Sequence, residues 1–171
     1  RVHENSLENV GYVAMFMEKV SLIKKYCPKI KTALDFGCGY EPVLKRLLER
    51  EGLKTEIYDS IFFPDYPKNK NFDLVISTET FEHLKNPFQD INWATNYVAP
   101  SGFLAVMTRF YPLENGKPSE EKFSEWYYKR DPTHIVFYSS KSFHWIADKI
   151  GFQIIFNNQF DFVLFQKSTN H

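Results

Sequence analysis

The chain has 171 residues, no net formal charge and an apolar fraction of 43%, which suits one globular domain over residues 1–171 with a sizeable core. Balanced charge without a Lys/Arg block gives no general attraction to nucleic acid or to an anionic membrane surface. Aromatic residues make up 18%, with 17 Phe and 10 Tyr, and such ring-lined walls favour a small organic ligand over a polyanion.

No apolar run reaches the roughly 18 residues of a membrane span, and no signal peptide opens the chain. The expectation is a soluble, cytoplasmic protein. Cys27 and Cys38 flank a predicted strand instead of marking a disulfide framework, as in a reducing compartment. No metal-ligand spacing stands out, and no metal is expected. The first residue is Arg1, not Met, which reads as a processed or trimmed start.

Val13, Phe16, Met17, Val20, Ile23 and Cys27 recur at helical spacing until Pro28. This predicts a helix from Leu7 to Tyr26 inside an N-terminal helical region, residues 1–28. "KTALDFG" reads as a buried strand. After it, Val43, Leu44, Leu47 and Leu48 form one face of a helix, with Lys45, Arg46, Glu49 and Arg50 on the other. "KTEIYDS" is a second strand and "FDLVISTE" a third, whose apolar run suits a strand covered on both faces. Pro87 starts a helix with Ile91, Ala94 and Val98 inward, and "APSGFLAVMTRF" supplies a turn and a fourth strand. Residues 111–138 are polar, aromatic and without period, as in a substrate or lid segment. The last helix takes Ser139 or Ser140 as N-cap, turns Phe143, Ile146, Ala147 and Ile150 inward, and stops at Gly151. "FQIIFNNQFDFVLFQK" closes the chain as a hairpin about Asn-Asn-Gln. Strands alternating with helices predict a Rossmann-like three-layer αβα sandwich. Its sheet is mostly parallel, with a C-terminal antiparallel hairpin.

The chemistry concentrates at "TALDFGCGYEP", where a strand meets closely spaced glycines and then a helix. Gly37 and Gly39 let the backbone turn tightly and approach a ligand, although an ordinary strand-to-helix turn explains two glycines equally well. A dinucleotide fingerprint requires a third glycine where this chain has Pro42. Glu41 would also repel a pyrophosphate at the same helix N-terminus.

"ALDFGCG", the acidic end of "EIYDS", "FDLVISTETFEHL" with the following "NP", and "APSGFLAVMT" stand in the order of the motifs of class I S-adenosylmethionine-dependent methyltransferases, which the chain resembles. The match is closest to the small subgroup of ubiquinone- and menaquinone-biosynthesis-type enzymes, methyltransferase domain 23-like. The resemblance implies S-adenosylmethionine as cofactor, S-adenosylhomocysteine as product and a small-molecule acceptor. It implies that Asp59, with Ser60 beside it, takes the ribose hydroxyls, and that Asp35 positions the amino-acid portion. Phe36, Gly37, Cys38 and Gly39 would form the turn beneath, Glu79 and Thr80 would line the methionine side, and Tyr12 would close over the cofactor. Taken alone, Asp59 reads equally well as a surface-turn aspartate, and His83 reads as a structural or capping residue.

Between Asp59 and Phe72 there is too little chain for a helical crossover plus a strand, which needs about 30 residues. The family's outer third strand is therefore expected to be missing or vestigial, with "FFPDYP" as an adenosine wall. His134, in "RDPTHIVFYS", is the expected base near the acceptor, with Asp131 as its partner; the two alternatively pin the loop to each other. Trp126, Tyr127, Tyr128 and Tyr138 read as an aromatic lid, and Arg109 as a group that holds an anionic substrate or makes a surface ion pair. The expected acceptor atom is oxygen or nitrogen. A non-catalytic cofactor-binding or scaffold domain and an NAD-binding oxidoreductase are the competing readings, and nucleic acid is disfavoured as a substrate for want of a basic stripe.

Overall fold

The computed structural model describes residues 8–168, so the expected helix start at Leu7 lies outside the described residues. Helix α1 (Val10–Tyr26) begins where the Asn9 side chain accepts the Tyr12 amide at 3.0 Å, and it ends before Pro28. Its buried stripe includes Phe16, Val20 and Ile23. Strand β1 (Thr32–Phe36), helix α2 (Val43–Arg50) and strand β2 (Lys54–Tyr58) follow in the predicted order. Next come β3 (Phe72–Thr78), a 3-10 turn over Phe81–His83, α3 (Pro87–Thr95) and β4 (Val98–Met107). Val98, expected as an inward helix residue, instead opens β4, because α3 ends before Tyr97 and Val98 pairs with Phe72.

The sheet runs β2-β1-β3-β4-β8-β7, with β8 (Phe162–Lys167) antiparallel between β4 and β7 (Phe152–Asn157). The pairs β1/β2, β1/β3 and β3/β4 are parallel. Strand residues alternate between two cores, as the period of two demands. Ala33, Leu74, Ile76, Ala105 and Leu164 meet α1 and α2. Leu34, Phe36, Val75, Leu104, Val106 and Phe165 join the core of α3 and of α5 (Ser140–Ile150). The result is the expected three-layer sandwich. Among the described residues no helix is long and apolar enough to cross a membrane.

Two connections shape the ligand side. Residues 59–71 return from β2 to β3 without a helix or a further strand, so β2 is the sheet edge. In place of a helix, Tyr66 stacks on Tyr58 and packs against Trp93, with ring centroids 6.2 and 5.7 Å apart. The segment expected to lack regular structure is built from a short hairpin, β5 (Leu113–Glu114) with β6 (Lys117–Pro118), then α4 (Glu120–Glu125) and a 3-10 turn over Tyr127–Arg130. Sequence period misses it because each piece is too short to show one.

Helix α5 is capped at both ends. Ser139 accepts the Ser142 amide at 3.2 Å, the Ser142 hydroxyl accepts the Ser139 amide at 2.8 Å, and Gly151 takes the left-handed conformation at φ 70°. Ser139→Ala should therefore cost about 1 kcal/mol, measured as a lower urea midpoint at unchanged slope.

Candidate functional site

The chain leaves β1 toward β2 on one side and returns to β3 on the other, so a crevice opens beyond the carboxyl ends of β1 and β3. Gly37 and Gly39 line it at φ 79° and 69°. The Gly37 amide donates to the Tyr58 carbonyl at 2.7 Å, the Cys38 amide to the same oxygen at 3.2 Å, and the Gly39 amide to Asp59 Oδ2 at 3.0 Å. Asp59 Oδ1 accepts the amides of Ile61 and Phe62 at 2.9 and 3.0 Å. One carboxylate thus ties the glycine turn to the crossing segment, and Oδ2, which accepts a single amide, has a further lone pair. Ser60 is exposed beside it. Above the turn, the rings of Tyr40 and Phe62 meet edge to face at 5.8 Å, and both are largely exposed.

Asp35 lies beneath the turn on the face of the sheet covered by α1 and α2. It is 1% exposed, and neither carboxylate oxygen has a hydrogen-bond partner. Burial pushes its pKa up to about 7; the Lys45 amide counteracts this without reaching hydrogen-bond geometry, and the Asp59 charge adds to the rise. Tyr12 comes down on the same place from α1. Burial raises its phenol, followed by the nearby charges of Asp35 and Glu79. The buried ion pair Lys19–Asp161, 2.9 Å between charged atoms, holds α1 there against the turn before β8.

Glu79 follows β3 in a left-handed conformation, φ 49°, with its amide held by the Met107 carbonyl at 2.8 Å. Partial desolvation and the Glu82 charge raise its pKa, and Arg109 opposes them. Glu79 is exposed at its surface, so water screens part of that push. The Thr80 hydroxyl lies 3.1 Å from the Gly37 carbonyl and 3.0 Å from that of Thr78, and it caps the glycine turn.

A second group adjoins the first through Tyr128. Its buried hydroxyl donates to Glu82 Oε1 and lies 3.4 Å from Glu79 Oε2 and 3.2 Å from Thr108 Oγ1. His134 packs on the Tyr128 ring at 4.1 Å, and its Nδ1 lies 2.7 Å from the Tyr128 carbonyl. A carbonyl only accepts, so Nδ1 carries a proton and the neutral ring keeps its lone pair on Nε2. Asp131 Oδ2 is 4.0 Å from that Nε2, while Asp131 Oδ1 accepts the Thr133 amide and hydroxyl at 2.9 and 2.6 Å.

The aromatic residues divide. Trp126 packs on Tyr128 at 5.2 Å and on Phe123 and Phe137, whereas Tyr127 is mostly exposed. Tyr138 is 3% exposed, stacks on Phe143 at 5.1 Å and donates to the Phe81 carbonyl at 3.1 Å, so its ring is spent on the core. Arg109 stacks over Phe160 at 4.2 Å. Sequence reasoning passed over Glu82, which is fully buried with Oε2 unpartnered. The signal was the spacing Glu79, Glu82, His83 on a chain that turns immediately after a strand. A cavity of about 240 Å³ at the other end of the sheet, beside Cys27 and Phe103, has its carboxylate Asp73 committed to the amides of Lys31 and Thr32.

The profile of a methyltransferase domain family matches residues 11–156. No curated protein matches the chain. Among solved structures, an O-methyltransferase family protein from Burkholderia thailandensis superposes with a TM-score of 0.67 at 14% identity, over 93% of this chain and 58% of that one. A putative methyltransferase from Bacillus halodurans C-125 gives 0.60 at 12% identity, over 90% of this chain and 100% of the other. The 1,6-didemethyltoxoflavin-N1-methyltransferase of Burkholderia thailandensis, solved with its substrate and S-adenosylhomocysteine, gives 0.58 at 10% identity, over 91% and 79%. The chain spans little more than half the length of the first of these. Such distant likeness establishes the fold.

A Cβ on Gly37 would lie 2.3 Å from Thr80 Oγ1. Gly37→Ala should cost more than about 2 kcal/mol, and adding Thr80→Ala should recover part of it, leaving the left-handed backbone cost of about 1–2 kcal/mol. Strictly additive losses in urea unfolding would show that the two side chains do not meet.

Proposed function

The chain belongs to the methyltransferase domain family, class I and S-adenosylmethionine-dependent, and from that premise we propose that it methylates an oxygen or nitrogen of a small-molecule acceptor. The observation that carries this reading is Asp35. A fully enclosed carboxylate with both oxygens unpartnered calls for a cationic or hydrogen-bond-donating ligand. With Asp59 and Glu79 around the same crevice, the fixed charge is negative, which repels a pyrophosphate and complements a molecule bearing an ammonium and a sulfonium. The residues present therefore fit S-adenosylmethionine and disfavour a dinucleotide.

Bound S-adenosylmethionine supplies a methyl group activated by the sulfonium. Asp35 would hold the amino-acid end, above the turn of Phe36, Gly37, Cys38 and Gly39. Asp59 would accept a ribose hydroxyl with the Oδ2 lone pair that its backbone contacts leave over, while Ser60 and the Tyr40–Phe62 pair would flank the adenosine. Glu79 and Thr80 would line the methionine side, and Tyr12 would cover it and exclude water. On the acceptor side, the Nε2 lone pair of His134 is the basic atom, with Asp131 beside it. Trp126 and Tyr127 would border the entering acceptor and Arg109 would favour an anionic group on it. Positioning supplies most of the rate in such a displacement, and proton removal adds to it when the acceptor is a hydroxyl.

Calorimetry with S-adenosylmethionine, S-adenosylhomocysteine and NAD tests the reading; binding of NAD alone would overturn it. A pH series adds a sharper check. Asp35 releases its proton near pH 7 in the free protein, and a cationic ligand favours the ionised form. Binding below pH 7 therefore expels a proton, and affinity should rise about tenfold from pH 6 to pH 8. Asp35→Asn should flatten that dependence and weaken binding throughout. His134→Gln should lower turnover about 100-fold or more with S-adenosylhomocysteine affinity held within about twofold.

A further inference from the structure

Glu82, His83 and His134 come together from two segments far apart in the chain. The amides of Ile135 and Val136 both donate to the Glu82 carbonyl, at 2.9 and 3.1 Å, which lays residues 133–136 along the 3-10 turn. The two imidazoles then meet edge to face at 4.8 Å. One ligating atom from each of Glu82, His83 and His134 lies within 4.8 Å of the other two.

The histidines are held in the same way. His83 Nδ1 is 3.0 Å from the Thr133 carbonyl, and His134 Nδ1 is 2.7 Å from the Tyr128 carbonyl. Each Nδ1–H is therefore donated to a fixed oxygen, leaving the Nε2 lone pairs free. This outer hydrogen bond is what sets the tautomer and ring orientation of metal-binding histidines. The third member is stronger still. Glu82 is 0% exposed, the Tyr128 hydroxyl holds Oε1, and Oε2 has no partner. His83 Nε2 stands 4.0 Å from Glu82 Oε1. A carboxylate shut away from water, with one oxygen unpartnered and two imidazole lone pairs close to the group, is a donor set that a cation would satisfy, and no Lys or Arg side chain makes an ion pair with it among the described residues.

We propose that Glu82, His83 and His134 bind a divalent first-row transition cation of the zinc type, two imidazoles and one carboxylate being a donor set that such ions take and that magnesium avoids. A tetrahedral ion with bonds of about 2.0–2.1 Å holds its ligands about 3.4 Å apart, so loading closes the cluster by about an ångström. His83, with its side chain 38% exposed, is the side from which the ion enters. Three protein ligands leave a position for water or a further donor, and Asp131 Oδ2 stands 4.0 Å from His134 Nε2. The site shares His134 with the proposed methyl-transfer centre and adjoins it through Tyr128, which also lies within reach of Glu79. It does not depend on that centre being correct. A lone pair holding a cation does not take a proton, so in the loaded protein His134 is a ligand, and a free histidine only when the ion is absent.

The test uses the whole chain freed of metal by chelator dialysis and titrated separately with Zn²⁺, Co²⁺ and Mg²⁺. One equivalent of Co²⁺ should develop visible d–d bands, and Zn²⁺ at about 100-fold excess over Kd should raise Tm by about 5 °C. His83→Ala, at an exposed position, and His134→Ala should each lose both signals, and Glu82→Gln should weaken Co²⁺ binding at least about tenfold. No response to either ion, a response that survives both histidine changes, or stronger binding of Mg²⁺ would overturn the proposal. S-adenosylhomocysteine titrated into the same samples separates the two readings: its binding without metal binding removes the cation site alone, and metal binding without it removes the methyl-transfer reading alone.

Discussion

A carboxylate enclosed by protein without a single hydrogen bond is the constraint to which the ligand side of this fold answers. Asp35 sits near the end of β1 with no partner for either oxygen, a desolvation cost that raises its pKa and that a donor or cation brought to it would offset. Its surroundings make sense on that basis. The glycines keep side chains away from the space above it, Thr80 braces the turn, and Tyr12 closes one side. The Lys19–Asp161 pair buries two charges of its own to hold α1 in register with the crevice. Removing either partner would leave a buried charge uncompensated and would loosen the helix that carries Tyr12.

Tyr128 joins the two halves of the candidate site. Its hydroxyl stands between Glu79, just after β3, and Glu82, on the histidine side, so the end of β3 and the 3-10 turn share one proton donor from the 127–130 turn. Each half thereby constrains the other. A shift of Tyr128 moves the support of His134, whose Nδ1 leans on the carbonyl of that same tyrosine. Chemistry at the ends of two strands is in this way tied to a segment some fifty residues further along.

The layers were legible from apolar period, and the lack of a strand between β2 and β3 from the short connection set beside the family resemblance. Ala33 and Leu34 face opposite cores because of strand alternation, and residues 59–71 are too few to hold another strand and its helix. Val98 misled because an apolar residue one turn beyond Ala94 continues a helix pattern equally well. The 111–138 segment was opaque because its order comes from rings in contact, such as Tyr111 on Phe123 at 5.0 Å, and not from period. Tyr138 shows the same limit. A tyrosine in an aromatic run looks like a lid, and only the fold reveals that its hydroxyl is committed to Phe81. The Glu82, His83 and His134 group was unreadable for a related reason: its members meet by long-range pairing, and short spacings detect only ligands close in sequence.

Ending the sheet at β2 also leaves a hazard. The free side of β2 presents unpaired backbone groups of the kind that recruit stray strands and seed aggregates. This edge is short, carries Lys54 and Glu56, and is partly occupied where the Lys68 amide donates to Glu56 at 2.9 Å. Charge therefore guards an edge that no neighbouring strand covers among the described residues. Neutralising Lys54 and Glu56 would leave the fold and the crevice in place while making the protein sticky at high concentration.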